Sequence, residues 1–387
     1  TTTPTNLSPD VARFLAGGPL GGVIDGRSVP SAGGEVFITS DPGSGEVLAE
    51  VFAMQSDEID QAVQAAARAF SRPGWADLSV EERGALLHRL ADAVEQRKAI
   101  IAEIEARDAG KVFWQAEGDV QNFVDTMRYF IGLAPKTPRH TPLNVDGYDA
   151  WLTRQPWGPC GFIFPWNFPF LLIGWGVAPA LAAGNTVVIK PAEDTPLSAI
   201  YLAHLAKEVG IPDGVINVVP GLGRTAGSAL AGHPGLKRMS FTGSPEVGRL
   251  VGEACGRNLV PVKLELGGKG AAVVFEDVDV AATAESLSQA ITFHTGQVCC
   301  DATRWLVHKS IHDEFVEAVA KRLEKVVVGY QLDSETQMGP VVSQKQCERV
   351  LSYLRRGHEE GAAVPSRRRP LRSSGPSGSL CQTSPAG

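Results

Sequence analysis

A cysteine in Gly296-Gln297-Val298-Cys299 lies shortly downstream of a glutamate in Glu265-Leu266-Gly267-Gly268. Covalent chemistry at a carbonyl needs that pair of groups, Cys299 as nucleophile and Glu265 as general base. Upstream, Pro165-Trp166-Asn167-Phe168-Pro169 offers a side-chain amide. Asn167 could donate to a developing oxyanion, and losing one such donor costs about 10²–10³ in turnover. Each residue alone also has a plainer reading. A cysteine is more often an inert core residue, a glutamate before Gly-Gly a solvated one, and an asparagine between prolines a turn cap. Because the thiolate attacks and the thiol does not, the surroundings of Cys299 decide its reactivity.

Alternating helix and strand signals must position these groups, which predicts an α/β architecture with a parallel sheet wound by helices. Asp57 to Phe70 reads as a helix capped by Ser56. Ser79-Val80-Glu81-Glu82 is a capping box opening a second helix. A helix over 169–182 precedes a buried strand at Thr186-Val187-Val188-Ile189. Leu197 to Val209 reads as the next helix and Val215–Val219 as the next strand, with another helix starting near Arg224. Between Pro142 and Trp157, Asp146-Gly147 predicts a hairpin turn, which could pair with another subunit or lie on its own domain.

Gly221-Leu222-Gly223-Arg224-Thr225-Ala226-Gly227 follows a strand and opens a helix, although its last gap is one residue too long for GxGxxG. Phe241-Thr242-Gly243-Ser244-Pro245-Glu246-Val247-Gly248 also runs from strand to helix start, where unpaired N–H groups suit a phosphate.

Together the segments at 165, 241, 264 and 296 resemble the aldehyde dehydrogenase superfamily, in its order and approximate spacing, across about Ile24 to Gly361. The family usually has asparagine at the position of His294 and phenylalanine at that of Thr292. The resemblance implies a Rossmann-type dinucleotide-binding domain, an incomplete α/β catalytic domain and an oligomerisation hairpin. The corresponding divisions are residues 1–141 and 158–264 for the first, 142–157 for the hairpin, and 265–357 for the catalytic part. It also implies oxidation of an aldehyde to a carboxylic acid with NAD: Cys299 forms a thiohemiacetal held by Asn167, a thioester follows, and water activated by Glu265 releases the acid. The resemblance assigns cofactor contacts to Trp166, Lys190, Glu193, Gly223, Gly227, Phe241, Thr242, Gly243, Ser244, Val247, Gly248, Leu266 and Gly267. Within that set Lys190 and Glu193 bind the adenosine ribose, Ser244 approaches the pyrophosphate and Val247 lines the adenine pocket. A carboxylate beside the ribose 2′-hydroxyl favours NAD over NADP. Intact relatives form homo-oligomers. A CoA-acylating relative is the nearest alternative enzyme, and Glu265 counts against it.

The segment from His358 to the last residue holds four arginines, six serines, four prolines and four glycines, and no Ile, Phe, Tyr, Trp or Met. Such a composition predicts disorder over 358–387. The family continues well beyond this endpoint, so the chain is expected to be truncated or frame-shifted, with little activity. The alternative is a non-catalytic fragment that binds NAD or a fuller subunit. Hydrophobic residues make up 43% and the net charge is −7, which supports a large core and disfavours nucleic-acid or anionic-membrane binding. Six cysteines without a CxxC pair predict free thiols, no metal site and a cytoplasmic location.

Overall fold

The computed structural model describes residues 7–363. After a short helix α1 (Pro9–Leu15), strands β1 (Gly22–Ile24) and β2 (Arg27–Val29) form a small antiparallel pair, as do β3 (Val36–Ser40) and β4 (Val47–Phe52). Four helices follow: α2 (Ser56–Ser71), α3 (Val80–Gln96), α4 (Lys98–Ala109) and α5 (Phe113–Leu133). The cap of α2 differs from expectation by one residue. Its N-cap is Gln55, whose backbone N–H donates to the Glu58 carboxylate at 2.8 Å, and Ser56 is already helical. Ser79 caps α3 as its spacing predicts, the hydroxyl accepting from Glu82 N–H while Glu82 accepts from Ser79 N–H.

The hairpin is β5 (His140–Val145) and β6 (Tyr148–Thr153), paired antiparallel around Asp146-Gly147. It makes a separate two-stranded sheet and exposes Leu143, Val145, Tyr148, Trp151 and Leu152. Beyond it the chain alternates strictly: β7 (Pro159–Ile163), α6 (Pro169–Ala182), β8 (Thr186–Lys190), α7 (Leu197–Glu208), β9 (Ile216–Val218). The helix expected near Arg224 begins as a wide turn, Gly223–Gly227, and continues as the short α8 (Ser228–Ala231). Then come β10 (Arg238–Gly243), α9 (Pro245–Arg257) and β11 (Val262–Leu266).

These strands join one seven-stranded sheet of order β11-β10-β7-β8-β9-β1-β2, with β7 to β11 mutually parallel. The buried strand β8 reads Thr-Val-Val-Ile-Lys, continuous because helices cover both faces. From β7 the chain winds outward to β8 and β9, then returns to β10 on the other side of β7. That reversal opens a crevice at the carboxyl ends of β7 and β10.

A smaller unit follows. β12 (Ala271–Val274) and β13 (Arg304–Val307) pair in parallel, with α10 (Val280–Thr292) and α11 (His312–Leu323) packed on them around Val274, Ala284, Phe315 and Val319. The last helix, α12 (Gln344–Glu359), extends past His358, so the aberrant composition begins inside a helix. The remainder of the expected disordered segment, 364–387, lies outside the described residues. Cys160, Cys255, Cys299 and Cys300 are free thiols, whereas Cys347 is disulfide-bonded, against the all-thiol expectation. Cys381 lies outside the described residues. No helix among them is long and apolar enough to cross a membrane, and no cluster of potential metal ligands occurs.

The start of α6, immediately after Asn167, is anchored by Glu105 of α4. Its fully buried carboxylate accepts the Phe170 N–H at 3.3 Å. Burial pushes this carboxyl from 4.5 up to about 7, against the pull of Lys111. The folded state therefore holds the proton more tightly than the unfolded chain. Stability from this group is fully present below 4.5 and is lost as pH rises through about 7, by on the order of 3 kcal/mol. Urea denaturation at pH 5 and pH 8 should show the loss in the wild type and a flatter profile in Glu105→Gln; equal slopes in both proteins would contradict this.

Candidate active site

The candidate residues gather at the carboxyl edge of the sheet. Lys190 ends β8, Gly243 ends β10, and Glu265 and Leu266 end β11; Trp166 and Asn167 follow β7, and Gly223 follows β9. Register sets Lys190, Ile163, Phe241 and Leu264 abreast.

Asn167 is buried, and its amide Nδ2 donates to the backbone carbonyl of Gln297 at 2.8 Å. This bond joins the Pro-Trp-Asn-Phe-Pro turn to the nucleophile loop two residues before Cys299. The loop itself has an unusual backbone. His294, Thr295 and Gly296 take φ values of 44°, 58° and 72°, three left-handed residues in succession. Two carry a Cβ, and such conformations persist only where the surroundings over-determine them. Here the His294 N–H donates to Gln115 Oε1 at 3.2 Å, and Thr295 Oγ1 donates to Gly339 O at 2.8 Å. Gln297 bonds His294 O through Nε2 and accepts the Val342 N–H through Oε1.

Cys299 and Cys300 are both exposed at the loop end. Burial of the sulfur, then the adjacent Cys300, push the Cys299 thiol up from its ordinary value. The resting group is thus the neutral thiol, and any ionisation of it near neutral pH must be favoured by what binds beside it.

Glu265 is placed by β11. The loop following β11 meets the loop following Cys299: Arg304 Nε donates to Lys269 O at 2.8 Å, and a Cβ on Gly270 would stand 3.3 Å from Asp301 O. Leu266 packs toward Gly248 of α9, so by strand alternation Glu265 faces the opposite side of the sheet. Its carboxylate is exposed and pairs with Lys263 at 3.1 Å. A base on water needs such solvent contact, although Lys263 is a partner that motif spacing did not reveal.

The cofactor candidates fall in two clusters, one around Lys190 and one around the start of α9. Lys190 is buried, and its ammonium lies 3.1 Å from Glu193 Oε2. The Gly223 N–H points at Glu193 Oε1 at 3.5 Å. Burial raises the Glu193 carboxyl, but the charge of Lys190 and these hydrogen bonds outweigh it and hold it below the usual range. Burial lowers the Lys190 ammonium against the opposing pull of Glu193. A donor and an acceptor side by side at a strand end match a vicinal diol. Gly221 has no room for a side chain, since a Cβ there would lie 2.6 Å from Met54 O. Ser244 caps α9, its hydroxyl accepting the Val247 N–H at 3.3 Å. With Pro245 at the first position and Gly248 N–H bound to Ser244 O, that helix start offers fewer free donors than its motif implied. Phe241 is buried, Thr242 and Trp166 are half-buried, and Val247 and Gly267 are exposed. Gly227 lies within 4.0 Å, at the Cβ position, of the Lys190 side chain. These residues suit a dinucleotide at the crevice.

A cleft of about 700 Å³ adjoins the loop, lined in part by Trp114, Phe293, Val298, Cys300 and Asp301. Phe293 lines this cleft, and Phe168, Leu172 and Trp175 are not part of its lining.

A five-strand parallel order that reverses at β7, with glycine turns and a Lys–Glu pair at the strand ends, defines a dinucleotide-binding α/β protein that bears a thiol loop. The chain belongs to the aldehyde dehydrogenase family, whose model matches residues 29–381. It is 46% identical over 338 residues to retinal dehydrogenase 2 of Homo sapiens, a match covering 86% of this chain and 65% of that protein. Retinaldehyde dehydrogenase 3 of Mus musculus is 44% identical over 337 residues, covering 86% and 66%. Among solved structures, an NAD+ complex of aldehyde dehydrogenase from Bacillus cereus matches with a TM-score of 0.90 and 38% identity, covering 94% of this chain and 74% of that one. The chain therefore spans slightly less than two thirds of the length of the first of these relatives.

Charge repulsion from Cys300 acts on Cys299 only once Cys300 is itself ionised. Iodoacetamide labelling of the Cys299 peptide, followed by mass spectrometry, is expected to match the wild type at pH 7 in Cys300→Ala and to run faster than the wild type under alkaline conditions. Equal rates under alkaline conditions would remove Cys300 as a cause.

Proposed function

We propose that this chain carries the dinucleotide site and thiol loop of an NAD-dependent aldehyde dehydrogenase that hydrolyses its thioester. The observation carrying this reading is the Asn167 amide bonded at 2.8 Å to the Gln297 carbonyl, at the sheet edge where a ligand crevice opens. One amide hydrogen of Asn167 is occupied by that bond. An amide nitrogen carries a second hydrogen, which in this reading donates to the substrate oxygen, so the bond fixes the donor without exhausting it.

In this reading Cys299, once ionised, attacks the aldehyde carbon, and Asn167 stabilises the resulting oxyanion. Lys190 and Glu193 hold the adenosine ribose hydroxyls. The turn at Gly223 to Gly227 and the segment Phe241-Thr242-Gly243-Ser244, with Val247 and Gly248, form the wall along the dinucleotide. Trp166, Leu266 and Gly267 would complete the lining that holds it. The bound dinucleotide supplies the hydride acceptor. Glu265 takes the proton of the water that cleaves the thioester, and the acid leaves. The Glu193 carboxylate repels a 2′-phosphate, which favours NAD over NADP. The division at 1–141, 142–157, 158–264 and 265–357, a cytoplasmic location and subunit pairing through the hairpin belong to the same proposal.

A second reading has its own support. Val273, Phe275 and Leu306 are exposed apolar residues on or beside the β12–β13 pair, and the Cys299 thiol rests protonated. A chain in this state would bind NAD, or a fuller subunit, without turnover.

NADH formation from NAD and an aliphatic aldehyde, measured beside NAD binding by calorimetry, separates the two. The enzyme reading expects turnover abolished in Cys299→Ser with NAD binding unchanged, and a selectivity for NAD over NADP that falls roughly ten-fold or more in Glu193→Gln as the repelling charge is removed. NAD binding with no turnover in the wild type supports the second reading. Absence of NAD binding sinks the enzyme reading and leaves of the second only the binding of a fuller subunit.

A further inference from the structure

Lys111 is a lysine with no solvent exposure. It follows Gly110, the left-handed cap of α4, where a Cβ would come within 3.0 Å of Pro340 and 3.2 Å of Pro42. That tight turn feeds the side chain inward. Its ammonium pairs with Asp119 of α5, and Nζ sits 3.9 Å from the centre of the Phe168 ring. Phe168 follows Asn167 directly. The same ring stacks on Phe293 at 6.3 Å and 9° and meets the His294 ring edge-on at 5.4 Å.

Helix α5 contributes twice to this arrangement. Gln115 accepts the His294 N–H and so anchors the nucleophile loop. Asp119, one turn along the same face, reaches the Asn167 segment through Lys111. The two halves of the candidate oxyanion site thus hang from one rigid element. Burial and the Lys111 charge also keep the His294 imidazole neutral, which avoids two cations in contact.

We propose that Lys111 is a positioning residue: its ammonium, balanced by Asp119, holds the Phe168 ring and thereby sets where the Asn167 amide meets the nucleophile loop. The proposal rests on Asn167 being the oxyanion donor. Mere neutralisation of Asp119 is the competing explanation, and variants distinguish the two. Amide hydrogen exchange on the full chain would compare Lys111→Met, the double variant Lys111→Met/Asp119→Leu and Phe168→Leu, with turnover measured in parallel.

The expected result is faster exchange in segments 162–171 and 292–299 in all three, with β8 and β9 protected as in the wild type. Turnover should fall roughly ten- to a hundred-fold in kcat with KM for aldehyde unchanged. Wild-type exchange in the double variant, or a uniform increase across the chain, would overturn the proposal. Should Lys111→Met fail to fold, Phe168→Leu decides alone: it keeps the ion pair and removes the ring, so wild-type exchange in both segments would sink the idea. Local loosening in a chain whose wild type has no turnover would preserve the positioning role and remove the enzymatic reading. Turnover that depends on Cys299 but ignores Lys111→Met would do the reverse.

Discussion

The reversal of strand order at β7 constrains everything else. Parallel strands present all their carboxyl ends at one edge, and only a change of winding direction separates two neighbouring loops enough to admit a ligand. Here the separated loops are those after Ile163 and after Gly243. One bears Trp166 and Asn167; the other bears Ser244. Because β8 and β11 end at the same edge, Lys190 and Glu265 need no long excursion to reach it. The chemistry of the site is therefore a consequence of topology before any side chain is considered.

Side chains then decide what the edge can do, and they bring a conflict. A thiol nucleophile works best as its anion, yet burial and Cys300 both disfavour that anion at Cys299. Among the described residues no cation offsets them at the sulfur. Within the nearby core, Lys111 is committed to Asp119 and His294 is held neutral. The arrangement is that of a protected thiol. It avoids exposing a permanent thiolate to oxidants, and it makes reactivity conditional on what enters the crevice.

Periodicity and punctuation made most of the scaffold legible. The helix expected over 169–182 is observed there, because Pro169 suits the first helical position and Gly184 and Asn185 end the run. Strand β8 is one residue longer than expected, ending on Lys190. Serine is the stronger cap signal by propensity, so the pattern favours Ser56 over Gln55, while the decisive bond runs from the Gln55 backbone N–H to the Glu58 carboxylate three residues on. Motif resemblance marked Cys299, Glu265 and Asn167, but it could not show that Gln297 is the partner of Asn167 or that Lys263 is the partner of Glu265. Lys111 was the hardest to see. Lysine is almost always exposed, and nothing local in Asp108-Ala109-Gly110-Lys111 says that its counter-ion lies on the next helix and its ring contact far along the chain.

That long-range dependence explains how an unfavourable loop can persist. The left-handed run from His294 to Gly296 costs on the order of 1–3 kcal/mol at each of its two residues bearing a Cβ. A single hydrogen bond, worth about 1 kcal/mol net, would not hold it. Contacts from α5, the 339–342 segment and the Asn167 turn act together. The loop that leads to Cys299 is consequently held by elements distant in sequence. A change in any one anchor shifts the balance for the others, so the loop should respond cooperatively to substitutions that never touch the sulfur.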